Sequence, residues 1–67
     1  MKLLITKHAR DMMFERGIEE DFIIRAIIQG AKVRQTEGFL ATYGYLRVAY
    51  KILNDGTYKI KTVMVHG

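Results

Sequence analysis

The sequence contains no cysteine and no proline. Without cysteine there is neither a disulfide framework nor a thiolate metal site, and nothing points to an oxidising compartment. No stretch approaches the roughly 18 uninterrupted apolar residues of a membrane span. "MKLLI" is too short for a signal peptide and has no small-residue cleavage site, so the expectation is a soluble, cytoplasmic protein with no membrane partner. A glycine-rich phosphate loop, a carboxylate pair and a nucleophile–base set are all missing. Two histidines at opposite ends of the chain make a poor metal site, so neither metal nor cofactor is expected.

What is present is compact. The chain has 67 residues, of which 49% are hydrophobic. That composition reads as one globular domain, 1–67, and not as a disordered tail. A chain this short buries only about 60% of its unfolded surface, so stability comes from packing alone or from a partner chain, a homodimer included. The net charge is +4, unevenly spread. Residues 1–30 carry five cations and five anions, whereas residues 31–67 carry six cations and two anions. An excess confined to the second half suits an anionic partner; it also serves simple solubility.

Two helices open the chain. Thr6 is suited to cap the first, which runs to about Arg16 and stops at Gly17, a residue able to adopt the left-handed conformation. Ala9, Met12 and Met13 fall on one arc, Arg16 lies within it, and Phe14 lies off it. The second helix starts on Glu19, Glu20 and Asp21, an acidic turn at the positive end of the helix dipole. It continues through "FIIRAIIQG", apolar enough to imply cover on more than one side. From Ala31 the period becomes two. "AKVRQT", "FLATYG", "YLRVAYKIL" and "TYKIKTVMVH" read as strands, with turns at Glu37-Gly38 and at "NDG", residues 54–56. Gly44 marks a bulge or break. The expected fold class is α+β: an N-terminal helical hairpin on a three- to four-stranded antiparallel sheet. Leu46, Val48, Tyr50 and Ile52 would face the helices. Arg47 and Lys51, with Lys59 and Lys61 on the last strand, would place four cations on the open face.

The segment "ITKHARDMMFERGI" resembles the signature T-x-H-A-x-x-R-M-x-x-R-G-I of a small bacterial and archaeal family described as a domain of unknown function. The match rests on Thr6, His8, Ala9, Met13, Arg16, Gly17 and Ile18, followed by Glu20 and Asp21. "IKTVMV" resembles the family's terminal strand. Where the family commonly has arginine this chain has Met12, which puts thioether at the centre of the His8–Arg16 face. The family lies near the RelE/ParE/BrnT toxins of toxin–antitoxin pairs, so the resemblance implies a RelE-like ααβββ(β) fold. RelE-type relatives cleave mRNA in the ribosome and ParE-type relatives poison gyrase, so the resemblance does not select a reaction.

The candidate site residues follow. His8 is suited to proton transfer near neutral pH, or is a helix-surface histidine within reach of Asp11. Arg16 can hold a phosphate with its planar fork, or lay its stem on the core and bond the helix-end carbonyls. His66 resembles the residue near the end of the last strand that several RelE-like ribonucleases use; otherwise it belongs to a frayed terminus. Arg47, Lys51, Lys59 and Lys61 suit a phosphate backbone, with Tyr45 stacking on a base. The same residues also suit a solvated face whose lysines discourage edge pairing. Two functions stay open: a toxin-like protein, with metal-independent endoribonuclease activity and RNA or the ribosome and a cognate antitoxin as partners, or a non-catalytic binding module.

Overall fold

In a computed structural model, which describes residues 1–66, a five-stranded sheet carries both helices. The elements are β1 (Leu3–Ile5), α1 (Lys7–Arg16), α2 (Glu20–Gln29), β2 (Ala31–Gln35), β3 (Gly38–Tyr43), β4 (Leu46–Ile52) and β5 (Tyr58–Val65). The strand order is β1-β5-β4-β3-β2. The sheet thus has five strands and is mixed, where three or four antiparallel strands were expected. The additional strand is β1, which pairs parallel to β5 with Leu3 opposite Tyr58 and Ile5 opposite Ile60. Three residues are too few to display a period, and their partner lies more than fifty residues away.

The helix ends form as their residues dictate. Thr6 Oγ1 accepts from the Ala9 N–H at 3.1 Å. Gly17 adopts the left-handed conformation at φ 66°, ψ 36°. The Ile18 N–H reaches back to the Met13 carbonyl and the Gly17 N–H to that of Phe14, so two of the carbonyls freed at the helix end are satisfied. α2 ends differently. Gly30 is extended, and a Cβ there would run into the carbonyl oxygens of Ala26 and Thr42. Glycine is needed at that point for the close approach of α2 to β3.

α1 packs on β5, and α2 on β3 and β4. The core comprises Ala9 and Met13 from α1, Ile23, Ala26 and Ile27 from α2, and Ala41, Leu46, Val48, Tyr50, Ile60 and Val63 from the sheet. α2 is covered on one side only: Ile28 is 61% exposed, and Phe22 is exposed too. The expected cover on a second side is not supplied by the described residues. Phe14 lies off the α1 arc as expected and is 88% exposed.

The β3–β4 connection is a two-residue turn, Gly44-Tyr45, between the paired Tyr43 and Leu46. Gly44 has positive φ and Tyr45 does not, the pattern of a type II′ hairpin. Gly44 is therefore the break between β3 and β4, made as a tight turn, and not a bulge. The "NDG" hairpin closes through Gly56 N–H to Leu53 O and Leu53 N–H to Thr57 O. The Thr57 N–H donates to Asp55 Oδ1 at 2.9 Å. Hydrogen bonds from the backbone and then the side chain of Thr57 hold the Asp55 carboxyl below its ordinary pKa.

Candidate functional site

The geometry of the open face depends on one irregularity. Between β4 and β5 the register shifts: Ala49 opposes Thr62, but Tyr50 opposes Ile60. Lys61 is the additional residue, and the alternation of β5 inverts across it. On one side of the bulge Lys59 opposes Lys51; on the other Arg47 opposes Met64. Thr62 is carried onto the face of Ala49, Arg47 and Lys51, while Val63, opposite Val48, is fully buried in the core. Uninterrupted alternation would have put Thr62 with Ile60 and Tyr58 beneath the helices.

Of the four cations, Arg47, Lys51 and Lys59 share this face by register. Lys61 is committed elsewhere, its Nζ donating to the Glu37 carbonyl at 2.7 Å, across the sheet at the β2–β3 turn. The four-cation face therefore reduces to three cations plus a lysine that ties β5 to that turn. Successive rows are two residues apart, about 7 Å along the strand. Arg47 lies one row to one side of the Ala49–Thr62 row, and the paired Lys51 and Lys59 lie on the other side.

His8 reaches this row. Its Nε2 shares a hydrogen bond with Thr62 Oγ1 at 3.0 Å, bringing together residues 54 apart in sequence. Asp11, the partner expected for His8, instead takes the Lys7 ammonium at 3.1 Å. Thr62 is the site residue that sequence reasoning missed. Its signal is the bulge that turns it toward His8, and the local sequence contains none.

The other two catalytic candidates lie at a different corner. Arg16 is exposed rather than folded inward, and it lines a groove of about 350 Å³ with Ile18, Phe22, Tyr43 and Tyr45. The His66 N–H donates to the Tyr45 carbonyl at 2.9 Å, so its backbone is anchored beside the β3–β4 turn and does not hang free. Tyr45 thus joins Arg16 and His66. His8, two helical turns before Arg16, is about 12 Å from it along the α1 axis. The three candidates are therefore not one cluster. Among the described residues no group of three or more histidines and carboxylates converges. No helix there is long and apolar enough to cross a membrane.

Comparison with known proteins agrees with this architecture. The family model for a domain of unknown function, DUF4258, matches residues 5–65, and the chain belongs to that family. A search of the curated proteins finds no match. Among solved structures, the chain is similar to one in the toxin–antitoxin complex RelBE2 from Mycobacterium tuberculosis, with a TM-score of 0.71 and 20% identity. That likeness covers 97% of this chain and 96% of the other. The fold is RelE-like: two helices on one face of a sheet whose antiparallel strands β2 to β5 end against a parallel β1.

Proposed function

We propose that this chain is a toxin-like protein of the toxin–antitoxin kind that engages RNA across the open sheet face. One observation carries the reading. The bulge at Lys61 lines up Arg47, Ala49 with Thr62, and Lys51 with Lys59 on a single face, and His8 is bonded to Thr62 at the rim of that face. Small side chains at the centre with cations on both sides suit a phosphate backbone lying across the strands. In the ribonuclease form of this reading, the scissile phosphate lies over Ala49 and Thr62. Arg47 and Lys51 offset the charge that develops on it; the His8 imidazole accepts the proton of the attacking 2′-hydroxyl as the 2′-oxygen bonds to phosphorus, and the P–O5′ bond breaks with the leaving 5′-oxygen taking its proton from water. Arg16, His66 and Tyr45 hold a neighbouring nucleotide at the hairpin corner. The resemblance of the fold to a chain of a toxin–antitoxin complex supports a cognate antitoxin as the second partner.

The test is induction in a bacterial host, comparing the wild type with Arg47→Ala/Lys51→Ala. Both side chains are exposed, so the double variant should fold normally. Growth arrest by the wild type and its relief in the variant are expected. Binding to single-stranded RNA should weaken with salt at a log–log slope of about −2 for three contacts, becoming shallower by about 1.4 in the variant. A well-expressed wild type that neither arrests growth nor binds RNA would overturn the reading.

A second reading has its own observation. Phe14, almost fully exposed on a ten-residue helix, and Ile28 on α2 are large apolar side chains left in water, as expected of a non-catalytic module that binds a protein. Under it, "HARDMMFERG" is a packing motif. His8→Ala and Arg16→Ala would then each lower stability by about 1–2 kcal/mol, with no effect on RNA.

A further inference from the structure

β2 is exposed along its whole length. Its inner side makes five consecutive, regular pairs with β3, from Ala31–Thr42 to Gln35–Gly38. Among the described residues, no strand lies on its outer side. An edge of this length is a template for pairing with another chain, and proteins blunt such edges with proline, bulges or outward lysines. Here the first two devices are missing, and the cations work against a like-charged strand only. There is no proline, and the β2–β3 ladder has no register shift. The two cations of the strand are both turned back onto the chain. Lys32 Nζ donates to the Gly30 carbonyl at 2.7 Å and to that of Ile28 at 3.4 Å, closing the C-terminal end of α2. Arg34 lies over the Phe39 ring, 5.8 Å from its centroid. On the other face Val33 is 60% exposed, with Ala31 and Gln35 beside it.

The charges decide what fits. A second copy added antiparallel, with helices on the same side, must oppose residues of equal parity. Centred on Val33, that arrangement sets Lys32 against Arg34; shifted by two residues either way, it sets Lys32 against Lys32 or Arg34 against Arg34. Each register opposes like charges, which is unfavourable in a cross-strand pair, and each chain already carries +4. A strand with carboxylates on the helix side and aliphatic residues on the open side meets the opposite situation, because its acids face Lys32 and Arg34 and its apolar side chains cover Val33.

We propose that the outer edge of β2 takes an additional strand from a partner protein, an extended segment that alternates acidic and aliphatic residues. The backbone ladder provides the hold, and Lys32 and Arg34 choose the acidic partner over a second copy of this chain. This does not depend on RNA binding or catalysis, since the edge lies two strands away from the Arg47–Lys51 face.

The test uses the whole ¹⁵N-labelled chain and an eight-residue peptide alternating glutamate and valine. Two control peptides accompany it, one with lysine for glutamate and one N-methylated at alternate amides. The expected result is saturable shifts of the amides of residues 31–35, at least tenfold weaker binding of the lysine peptide, and loss of binding on N-methylation. Arg34→Glu should weaken the glutamate peptide by a similar factor. It should also make the chain dimerise in sedimentation, because the reversed charge then faces Lys32 of a second copy. Equal binding of the lysine peptide, binding that survives N-methylation, or shifts confined to residues 47–51 would each overturn the proposal. A wild type that is already dimeric with its β2 amides protected from exchange would overturn it in favour of a second copy.

Discussion

At one edge of the sheet, β1 covers Tyr58 to Ile60, Thr6 takes the next positions, and α1 runs beside the remainder of β5. Thr6 does this with two bonds, its N–H to the Ile60 carbonyl and its hydroxyl to the Lys61 carbonyl, each at 3.2 Å. At the other edge, β2 is exposed at every residue and its cations are occupied on its own side of the sheet. Closing an edge therefore does not require a long strand. A three-residue β1 followed at once by a helix cap suffices, because the cap residue satisfies backbone groups of both the helix and the strand. The open edge shows the converse: its lysine and arginine discourage a like-charged strand and leave the ladder free for an acidic one.

The contrast can be tested by substitution. The largest effect is expected for Ile60→Ala. Ile60 is fully buried and lies where β1, β5 and β4 meet, so the cavity should cost about 3 kcal/mol. Thermal melting would show that as a fall of well over ten degrees in a domain of this size; a fall of only a few degrees would mean that the closed edge carries little of the stability. Thr6→Val comes next. It keeps the shape and removes both the cap and the bond to Lys61, for an expected loss of about 1–2 kcal/mol in urea. Hydrogen exchange at the start of α1 and in the middle of β5 should quicken together. Acceleration in α1 alone would separate the two roles given to that hydroxyl.

The next effect is confined to high pH and concerns the ladder between the edges. Phe39, Tyr50 and Tyr58 stack across three strands with ring centroids 5.5 and 5.7 Å apart. Burial, reinforced by the neighbouring Tyr58, holds the Tyr50 phenol above its ordinary pKa of 10.0. The folded chain therefore keeps this proton longer than the unfolded chain. Its contribution is complete below pH 10 and is lost as pH rises through the raised value. Tyr50→Phe should flatten the alkaline limb of a melting-temperature profile, and an unchanged slope would assign that limb to other groups. The smallest effect is expected for Val33→Ala on the open edge, within about 0.5 kcal/mol, provided nothing is bound there. If this substitution costs as much as Thr6→Val in the isolated chain, β2 is already covered.

Much of the architecture was legible because local signals were strong. The Thr6 cap, the Gly17 stop, the acidic start of α2 and the "NDG" turn each act within one turn of chain, and all four appear where the residues place them. The four strands from Ala31 onward begin and end within a residue of the stretches that read as strands. The legible part of the candidate site was a matter of strand register: Arg47, Lys51 and Lys59 fall on the same side of the paired strands β4 and β5. Illegible were the commitment of Lys61 to the Glu37 carbonyl, the exposure of Arg16, and the separation of His8 from the Arg16–Tyr45–His66 corner. Each depends on a neighbour brought in from a distant part of the chain.

The sequence by itself determined the two helices, the four longer strands and the concentration of positive charge in the second half, because periodicity, caps and turn residues act over a few residues. Only the tertiary structure decided that "LLI" is a strand, that β5 bulges at Lys61, that Thr62 meets His8, and that β2 is the open edge. Those outcomes rest on register and pairing between segments up to 55 residues apart. A shift of one residue in such pairing reverses which side chains face the core and which face a ligand.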